Sequence, residues 1–323
     1  MVQRIRAFLD PFLILLIGTV ALASVLPAHG QGAALAEWAA DAGIVLLFFL
    51  HGAKLSRAAI LSGAKAWKLH LATLGTTFLL FPLLGIGIVH SGLLPEKLGV
   101  GVLFLTLLPS TVQSSIAFTA IARGNVAAAV VSASFSNLLG ILLTPLLVAL
   151  LMERTGNGSL ISLSSIKGIL LQLLLPFVVG HLLRPWIGGF IERHKAMIGR
   201  VDRSSILLVV YAAFSAAVVE GIWRTVSAEE LALLAGTSIA LLAVVLVLTW
   251  LLGKAMGLSR EDRIVLQFCG SKKSLASGVP IAGVLFPASM VGPILLPMML
   301  FHQIQLMACA MLAKRYGDTE LDR

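Results

Sequence analysis

Charged residues are scarce in this sequence: they occupy 12% of the 323 positions, whereas hydrophobic residues occupy 58%. Soluble domains carry about 25% charged residues, so this composition excludes an ordinary soluble protein and predicts a membrane protein. Only two cysteines occur, Cys269 and Cys309, both in apolar stretches, which excludes a disulfide framework or a cysteine-rich zinc site. In a membrane protein the net charge of +9 reflects the cytoplasmic loops, so no nucleic acid partner is expected.

The motifs of membrane enzymes are also missing. The chain contains neither HExxH nor GxSxG, and no pair of carboxylates lies inside an apolar stretch. Membrane metalloproteases and serine hydrolases need such residues. The sequence therefore predicts no enzyme activity, no catalytic residues and no cofactor, and a lipid-modifying membrane enzyme is its least favoured alternative.

Ten apolar stretches follow one another along the chain. They fall near residues 8–26, 36–52, 69–90, 98–121, 126–151, 168–188, 204–223, 231–256, 262–286 and 290–313. Because about 20 apolar residues span a bilayer as a helix, the predicted fold class is an all-α polytopic membrane protein with ten transmembrane helices.

The distribution of lysine and arginine predicts the orientation. With a cytoplasmic N-terminus, 18 of the 24 basic residues fall in cytoplasmic loops or tails. Four lie on the other side of the membrane, namely Lys97, Arg154, Lys167 and Arg224. The last two, Lys272 and Lys273, lie inside the ninth stretch. By the positive-inside rule both termini are expected in the cytoplasm, in a multi-pass protein of a bacterial inner membrane.

Polar residues interrupt the fourth and ninth stretches at matching places. The ninth breaks over residues 270–274, and the fourth is interrupted by Pro109, Ser110, Thr111, Gln113, Ser114 and Ser115. Five spans separate the two breaks, so the halves that contain them lie in opposite orientations. The pattern predicts two inverted five-helix repeats, over 1–155 and 160–323, with a binding site where the broken helices meet. The alternative is that these clusters only pack helices together.

Lys272 and Lys273 stand side by side in the ninth stretch, within QFCGSKKSLASGVP. A charge at bilayer depth costs about 2.5–3.5 kcal/mol on insertion scales, so such residues face a cavity or a partner. The alternative is that both snorkel from a cytoplasmic helix end. Adjacent positions on a helix point about 100° apart. We therefore expect one lysine to be structural and the other to face a cavity and bind substrate.

A helix that breaks inside the membrane exposes N–H groups at one end, which favour anions, and carbonyl groups at the other, which favour cations. Hydroxyl groups can bind that exposed backbone or a small ion, and Gly270 would let the two broken helices cross closely. The candidate binding residues from this argument are Thr111, Gln113, Ser114, Ser115, Ser271, Lys272, Lys273 and Ser274. Asn137, His302 and Gln303 are candidates for lining the cavity, with helix packing as the alternative role.

The chain resembles the bile acid:sodium symporter family, solute carrier family 10, and within it the branch related to member 7. The resemblance covers nearly the whole chain. It is carried by PSTVQSSIAFTAIARGNVA (109–127), TTFLLFP (76–82), and QFCGSKKSLASGVP followed by FP (286–287). It implies ten helices in two inverted repeats, crossing fourth and ninth helices, and panel and core domains interleaved across both repeats.

Carried over by position, the resemblance places a family serine–asparagine pair on Ser114 and Ser115 and the sodium-ligating glutamate on Gln267. A glutamine of the third helix falls on Thr77. Sodium ligands, if any, would thus be among Thr77, Ser114, Ser115 and Gln267, and the acidic ligand is missing. Neutral oxygens beside two ammonium groups should repel sodium, so sodium coupling is expected to be weakened or lost.

These observations favour a secondary active transporter that moves an organic anion by alternating access. Its expected partners are the small organic anion and membrane lipid. The coupling ion is left open between sodium, a proton and none, and so is the oligomeric state. The rival interpretation is a membrane regulator of cation flux that carries no organic solute.

Overall fold

The computed structural model describes residues 11–54, 66–152 and 167–318. In these ranges every regular element is a helix. In chain order the helices are α1 (Pro11–Val25), α2 (Gln31–Lys54), α3 (Trp67–His90), α4 (Glu96–Leu107), α5 (Gln113–Ile121), α6 (Val126–Met152), α7 (Ile169–Arg193), α8 (Lys195–Val219), α9 (Ile222–Thr225), α10 (Ala228–Ala255), α11 (Arg260–Gly270), α12 (Leu275–Leu285) and α13 (Ala288–Asp318). Two of them contain a wider π-helical turn, Thr76–Leu80 in α3 and Ile169–Leu174 in α7.

Among the described residues, seven helices are long and apolar enough to cross a membrane: α2, α3, α6, α7, α8, α10 and α13. The shorter α1 is also apolar over Ile14–Val25. The fourth and ninth predicted spans are each divided into two short helices, α4 with α5 and α11 with α12. An all-helical membrane protein is thereby confirmed, while the ten-helix inverted repeat over 1–155 and 160–323 stays a prediction.

The first break, residues 108–112, has a local cause. Pro109 disfavours a helical conformation at the residue before it, and Leu108 is extended, with φ −77° and ψ 156°. The next helix begins at Gln113. Gln113, Ser114 and Ser115, which the sequence suggested as part of the break, therefore lie in the first turn of α5.

The second break, residues 271–274, lies where the sequence predicted it. Helix α11 ends at Gly270 and α12 begins at Leu275. The hydroxyl of Ser274 accepts a hydrogen bond from the backbone N–H of Ser277, at 3.2 Å. A serine that caps a helix start in this way satisfies a backbone donor that has no partner inside the helix.

The described residues form two compact units. Unit 1 contains those of Met1–Leu55, Ala149–Ser227 and Gly278–Leu295. Here α2 crosses α7 with backbones in contact, because a Cβ at Gly52 or Gly180 would lie about 2 Å from a carbonyl oxygen of the other helix. An ion pair between Lys54 and Asp202 joins α2 to α8.

Unit 2 contains the described residues of Ser56–Val148, Ala228–Ser277 and Leu296–Arg323. Both breaks lie in this unit, so it holds the candidate site. Apolar clusters pack together the helices of this unit, including those that lead into the breaks. One cluster joins Leu98 of α4 to Leu234 of α10, and another joins Phe268 of α11 to Cys309 of α13.

Candidate functional site

The two breaks meet inside unit 2. The backbone N–H of Ser274, in the second break, donates a hydrogen bond to the carbonyl of Pro109, in the first, at 2.8 Å. On the other side of the crossing, the hydroxyl of Ser115 donates to the carbonyl of Phe268 at 3.1 Å. Each broken segment thus satisfies backbone groups that the other has left without helical partners.

The ammonium group of Lys273 binds three backbone carbonyl groups. Its Nζ lies 2.7 Å from the oxygen of Thr77, 2.8 Å from that of Thr106 and 2.7 Å from that of Leu108. Thr106 and Leu108 lie at the C-terminal end of α4, where carbonyls have no helical partner. Thr77 lies in the π-helical turn of α3. Since an ammonium has three donors, all of them are used.

Several groups around the buried Lys273 can stabilise a positive charge. The side chain is 1% exposed, and its Nζ lies 4.2 Å from the centre of the Phe81 ring, whose face attracts cations. The C-terminal end of α4 contributes a partial negative charge at the same place. Lys273 therefore has the structural role that was expected of one member of the lysine pair.

The main chain of Lys273 is held as firmly as its side chain. Its N–H donates to Oε1 of Gln305 at 2.9 Å, and its C=O accepts from Nε2 of the same amide at 2.9 Å. The Nε2 atom also lies 2.8 Å from Nδ1 of His302. Gln305 is fully buried, and sequence reasoning did not select it. The sequence did contain a signal for its role, which is a glutamine placed three residues after a histidine in an apolar helix.

Lys272 is also fully buried but has fewer partners. Its Nζ donates to the hydroxyl of Ser114 at 3.3 Å and lies 4.4 Å from the centre of the Phe118 ring. No other acceptor takes its remaining N–H groups among the residues that the structure describes. In the same ranges no carboxylate lies within 4 Å of either ammonium, and no three His, Cys, Asp or Glu side chains cluster to hold a metal ion.

A short chain of hydroxyl groups leads away from Lys272. Ser114 donates to Thr111 at 2.8 Å, and Thr111 lies 3.0 Å from the hydroxyl of Ser115. Thr111 and Ser115 are buried, Ser114 is partly exposed and Gln113 is exposed. The first turn of α5 therefore joins the buried ammonium to an accessible surface of unit 2.

The side chains of Gln267 and Thr77 are occupied by other protein groups. The amide of Gln267 donates to the carbonyl of Leu246 at 3.1 Å and accepts from the hydroxyl of Tyr316 at 2.9 Å. The hydroxyl of Thr77 donates to the carbonyl of Thr73 at 2.8 Å. Thr77 thus reaches the site through its backbone, whereas the family resemblance suggested its side chain.

The remaining candidates lie around the second break. Ser271 donates to the carbonyl of Gln267. Ser274 lies 3.0 Å from Ser277, which donates to Oδ1 of Asn137 at 2.7 Å. Asn137 is therefore part of the same hydroxyl network. Gln303 lies on α13 with a buried Oε1 atom that has no partner among the described residues.

Gly270 does not bring the two broken helices close together, which is the role that its position in the sequence suggested. A Cβ there would lie 2.5 Å from the hydroxyl of Thr76 on α3 and 3.3 Å from the methyl group of Thr249 on α10. The small residue allows α11 to approach those two helices. Its close neighbours do not include the other broken segment, because the breaks cross farther along the chain, at Ser274 and Pro109.

Comparison with known proteins identifies the family of the chain. Residues 10–318 match the sequence model of the SBF-like CPA transporter family. The "Uncharacterized protein PA2026" of Pseudomonas aeruginosa is 55% identical over 320 residues, which cover 98% of this chain and 95% of that protein.

Two further relatives have names that describe transport. The "Putative symporter YfeH" of Escherichia coli K12 is 52% identical over 325 residues, covering 97% of this chain and 95% of that protein. The "Sodium/bile acid cotransporter 7" of Danio rerio is 25% identical over 273 residues, covering 82% and 80%. The chain therefore belongs to the SBF-like CPA transporter family, and it is a multi-pass integral membrane protein of the transporter class rather than an enzyme.

Proposed function

We propose that this protein is a secondary transporter that moves an organic anion by alternating access and does not use sodium as its coupling ion. The observation that carries the proposal is the ammonium of Lys273, bound by three backbone carbonyls in a buried crossing of two broken helices. Such crossings provide ion and substrate sites in transporters.

The preference for an anion rests on charge. Two ammonium groups, Lys272 and Lys273, belong to adjacent buried residues, and no carboxylate of the described ranges lies within 4 Å of either. Uncompensated positive charge in a low-dielectric interior attracts an anion and repels a cation. Lys272 supplies the group that an anion would approach, because only one of its N–H groups has an acceptor among the described residues, whereas those of Lys273 are fully used.

The loss of sodium coupling rests on the same atoms. Carbonyl oxygens from the end of a helix and from a widened turn are typical ligands of a dehydrated sodium ion. Here the ammonium of Lys273 takes three of them. The amide of Gln267 is engaged on both sides by Leu246 and Tyr316, so it has little freedom to turn toward an ion.

The proposed architecture has ten membrane segments in two inverted repeats, 1–155 and 160–323. Seven long helices, the apolar α1 and two broken pairs account for ten segments. The breaks recur five segments apart, which suits an inverted repeat. We place both termini in the cytoplasm of a bacterial inner membrane, following the lysine and arginine distribution.

Uptake into proteoliposomes tests this function. Several relatives are named sodium/bile acid cotransporter 7, so radiolabelled taurocholate is the first probe, followed by smaller carboxylates and sulfonates. We expect uptake of an anion that is equal in sodium and in potassium buffer. Replacing Lys272 by Met should abolish it, while the matched variant Lys97→Met, at the start of α4, should transport normally.

Two outcomes would contradict the proposal. Uptake that requires sodium would show that Lys273 does not replace the coupling ion. Saturable binding of every anion tested without any uptake would instead favour a regulator of cation flux.

A further inference from the structure

We propose that His302 is the proton-binding site of the transport cycle, and that Gln305 passes its charge state to the peptide group of Lys273. This inference rests on the proposed function, because it names the coupling ion that acts at the same site. It follows from the direction of three hydrogen bonds that meet at the amide of Gln305.

The orientation of the Gln305 amide is fixed by the main chain of Lys273. A peptide N–H can only donate a hydrogen bond and a peptide C=O can only accept one. The atom that faces the N–H of Lys273 must therefore be Oε1, and the atom that faces its C=O must be Nε2. Both distances are 2.9 Å.

This orientation determines the protonation of His302. The second hydrogen of the Gln305 Nε2 atom points at Nδ1 of His302, 2.8 Å away. Since Nε2 can only donate, Nδ1 must accept, so this nitrogen carries a lone pair. The bond is possible only for a neutral imidazole with its hydrogen on the other ring nitrogen.

Protonation of His302 is incompatible with this arrangement. A hydronium ion transfers its proton to the Nδ1 lone pair: one O–H bond of the hydronium breaks, an N–H bond forms, and a neutral water molecule is left. Two donors, His302 Nδ1–H and Gln305 Nε2–H, then face each other. The amide can relieve this contact by turning over, so that Oε1 accepts from the imidazolium. It then loses both bonds to the peptide of Lys273.

The second break, residues 271–274, is the element whose structure would change when His302 is protonated. In this break the peptide group of Lys273 is bound by Gln305. The ammonium group of Lys273 is bound by the carbonyls of Thr77, Thr106 and Leu108. Losing the two amide bonds loosens the point at which the broken helices cross. Protonation of one residue on α13 is thereby coupled to the geometry of the site.

The charges around His302 and Gln305 link the binding of the proton to the binding of the anion. The second break contributes two ammonium groups to the site, that of Lys273, whose peptide group binds Gln305, and that of Lys272, one residue earlier. The other titratable groups belong to the helices packed around the middle of α13 and to α13 itself, and most of them lie in end turns. On the packed helices they are Lys68, His70, His90, Glu96, Lys97, Glu229, Glu230, Lys254, Arg260, Glu261, Asp262, Arg263 and Cys269. On α13 they are Cys309, Lys314, Arg315, Tyr316 and Asp318. An imidazolium adds a third positive charge to the site, so an anion and a proton should favour each other's binding.

Hydrogen–deuterium exchange of the full-length protein in lipid nanodiscs tests this without any substrate. The measured quantity is the protection of peptides that cover residues 271–277, corrected for the intrinsic pH dependence of exchange. Between about pH 8 and about pH 5.5 we expect protection in the wild type to fall by about tenfold. His302→Gln keeps an acceptor for the Gln305 amide but cannot titrate, so its protection should be the same at both pH values.

His90→Gln is the matched control, since it removes a histidine from the end of α3, and it should behave as the wild type. The proposal is wrong if protection in the wild type does not change with pH, or if His302→Gln keeps the wild-type change. Nitrogen NMR of ¹⁵N-histidine-labelled wild type is the independent measurement, and a His302 ring with its hydrogen on Nδ1 at pH 8 would also overturn it. Because no anion is added, failure here is distinguishable from failure to observe transport.

Discussion

The backbone N–H of Ser274 donates a hydrogen bond to the carbonyl of Pro109, although 165 positions separate the two residues along the chain. Each residue stands in a break, one after α4 and the other before α12. Neither backbone group could be satisfied inside its own helix, and an unsatisfied group at membrane depth costs several kcal/mol. The two breaks therefore stabilise each other, and a change that separates them should affect both helices.

Lys273→Met tests whether the buried ammonium holds this crossing together. Methionine has a similar shape but leaves the carbonyls of Thr77, Thr106 and Leu108 without a donor. A buried acceptor without a partner costs about 1–3 kcal/mol, so we expect a clear loss of thermal stability in detergent, measured by tryptophan fluorescence. Lys272→Met is the control. This control removes one long hydrogen bond to Ser114 and should lower the melting temperature less than Lys273→Met does. An equal decrease of the melting temperature in both variants would contradict a structural role for Lys273 that Lys272 does not share.

Gly85→Ala and Gly87→Ala form a matched pair on α3 for testing how tightly α3 packs on α4. A Cβ at Gly85 would lie 2.2 Å from the hydroxyl of Thr106, the residue whose carbonyl binds Lys273, whereas a Cβ at Gly87 meets nothing within 4 Å. We expect Gly85→Ala to destabilise the protein by about 1–3 kcal/mol through overpacking. Gly87→Ala should be neutral or slightly stabilising, because alanine favours a helix. Similar melting temperatures for the two variants would show that α4 can move aside.

Gln267→Glu tests whether a carboxylate can be accommodated at this position. A carboxylate cannot donate to the carbonyl of Leu246, so two acceptors would face each other at the present 3.1 Å. We expect a loss of about 1–3 kcal/mol. Tyr316→Phe removes only the hydroxyl that donates to Gln267 and should cost about 1 kcal/mol. If Gln267→Glu were as stable as the wild type and gained further stability from sodium, this position would still be able to ligate an ion.

The sequence was sufficient to predict an all-helical membrane protein and the approximate positions of both breaks, because apolar length and interrupting residues are local signals. Pro109 makes the preceding residue extended, and the serines and glycine near Lys272 weaken a helix there. It also identified the lysine pair, since two charges in an apolar stretch need a cavity or a partner.

The partners of the lysines could not be predicted in the same way. Thr77 was selected because a glutamine of the resembling family falls on this position, but the structure uses its backbone carbonyl, which the wider turn of α3 directs toward Lys273. No local pattern marks that turn. Gln305 lies 32 positions from Lys273, and its role depends on how α13 packs beside the second break. Such contacts arise from tertiary structure, which single-sequence periodicity does not describe.

Sodium should leave the stability of the wild-type protein unchanged. A ligand that binds the folded state raises the melting temperature in proportion to the logarithm of its concentration above its dissociation constant. If Lys273 takes the carbonyls that would otherwise bind an ion, no such increase should occur. We expect melting temperatures within about 1 °C of each other when sodium chloride replaces potassium chloride or N-methylglucamine chloride at constant ionic strength.

The informative variant for this experiment is Lys273→Met, which empties the three-carbonyl site while keeping its shape. Sodium should partly restore the stability that this variant has lost, because a small cation can then bind the carbonyls of Thr77, Thr106 and Leu108. N-methylglucamine is too large to do so and serves as the control cation. A melting temperature of the wild type that rises with sodium alone would mean that another cation site exists. In that case the ammonium of Lys273 would stabilise the fold without replacing the coupling ion.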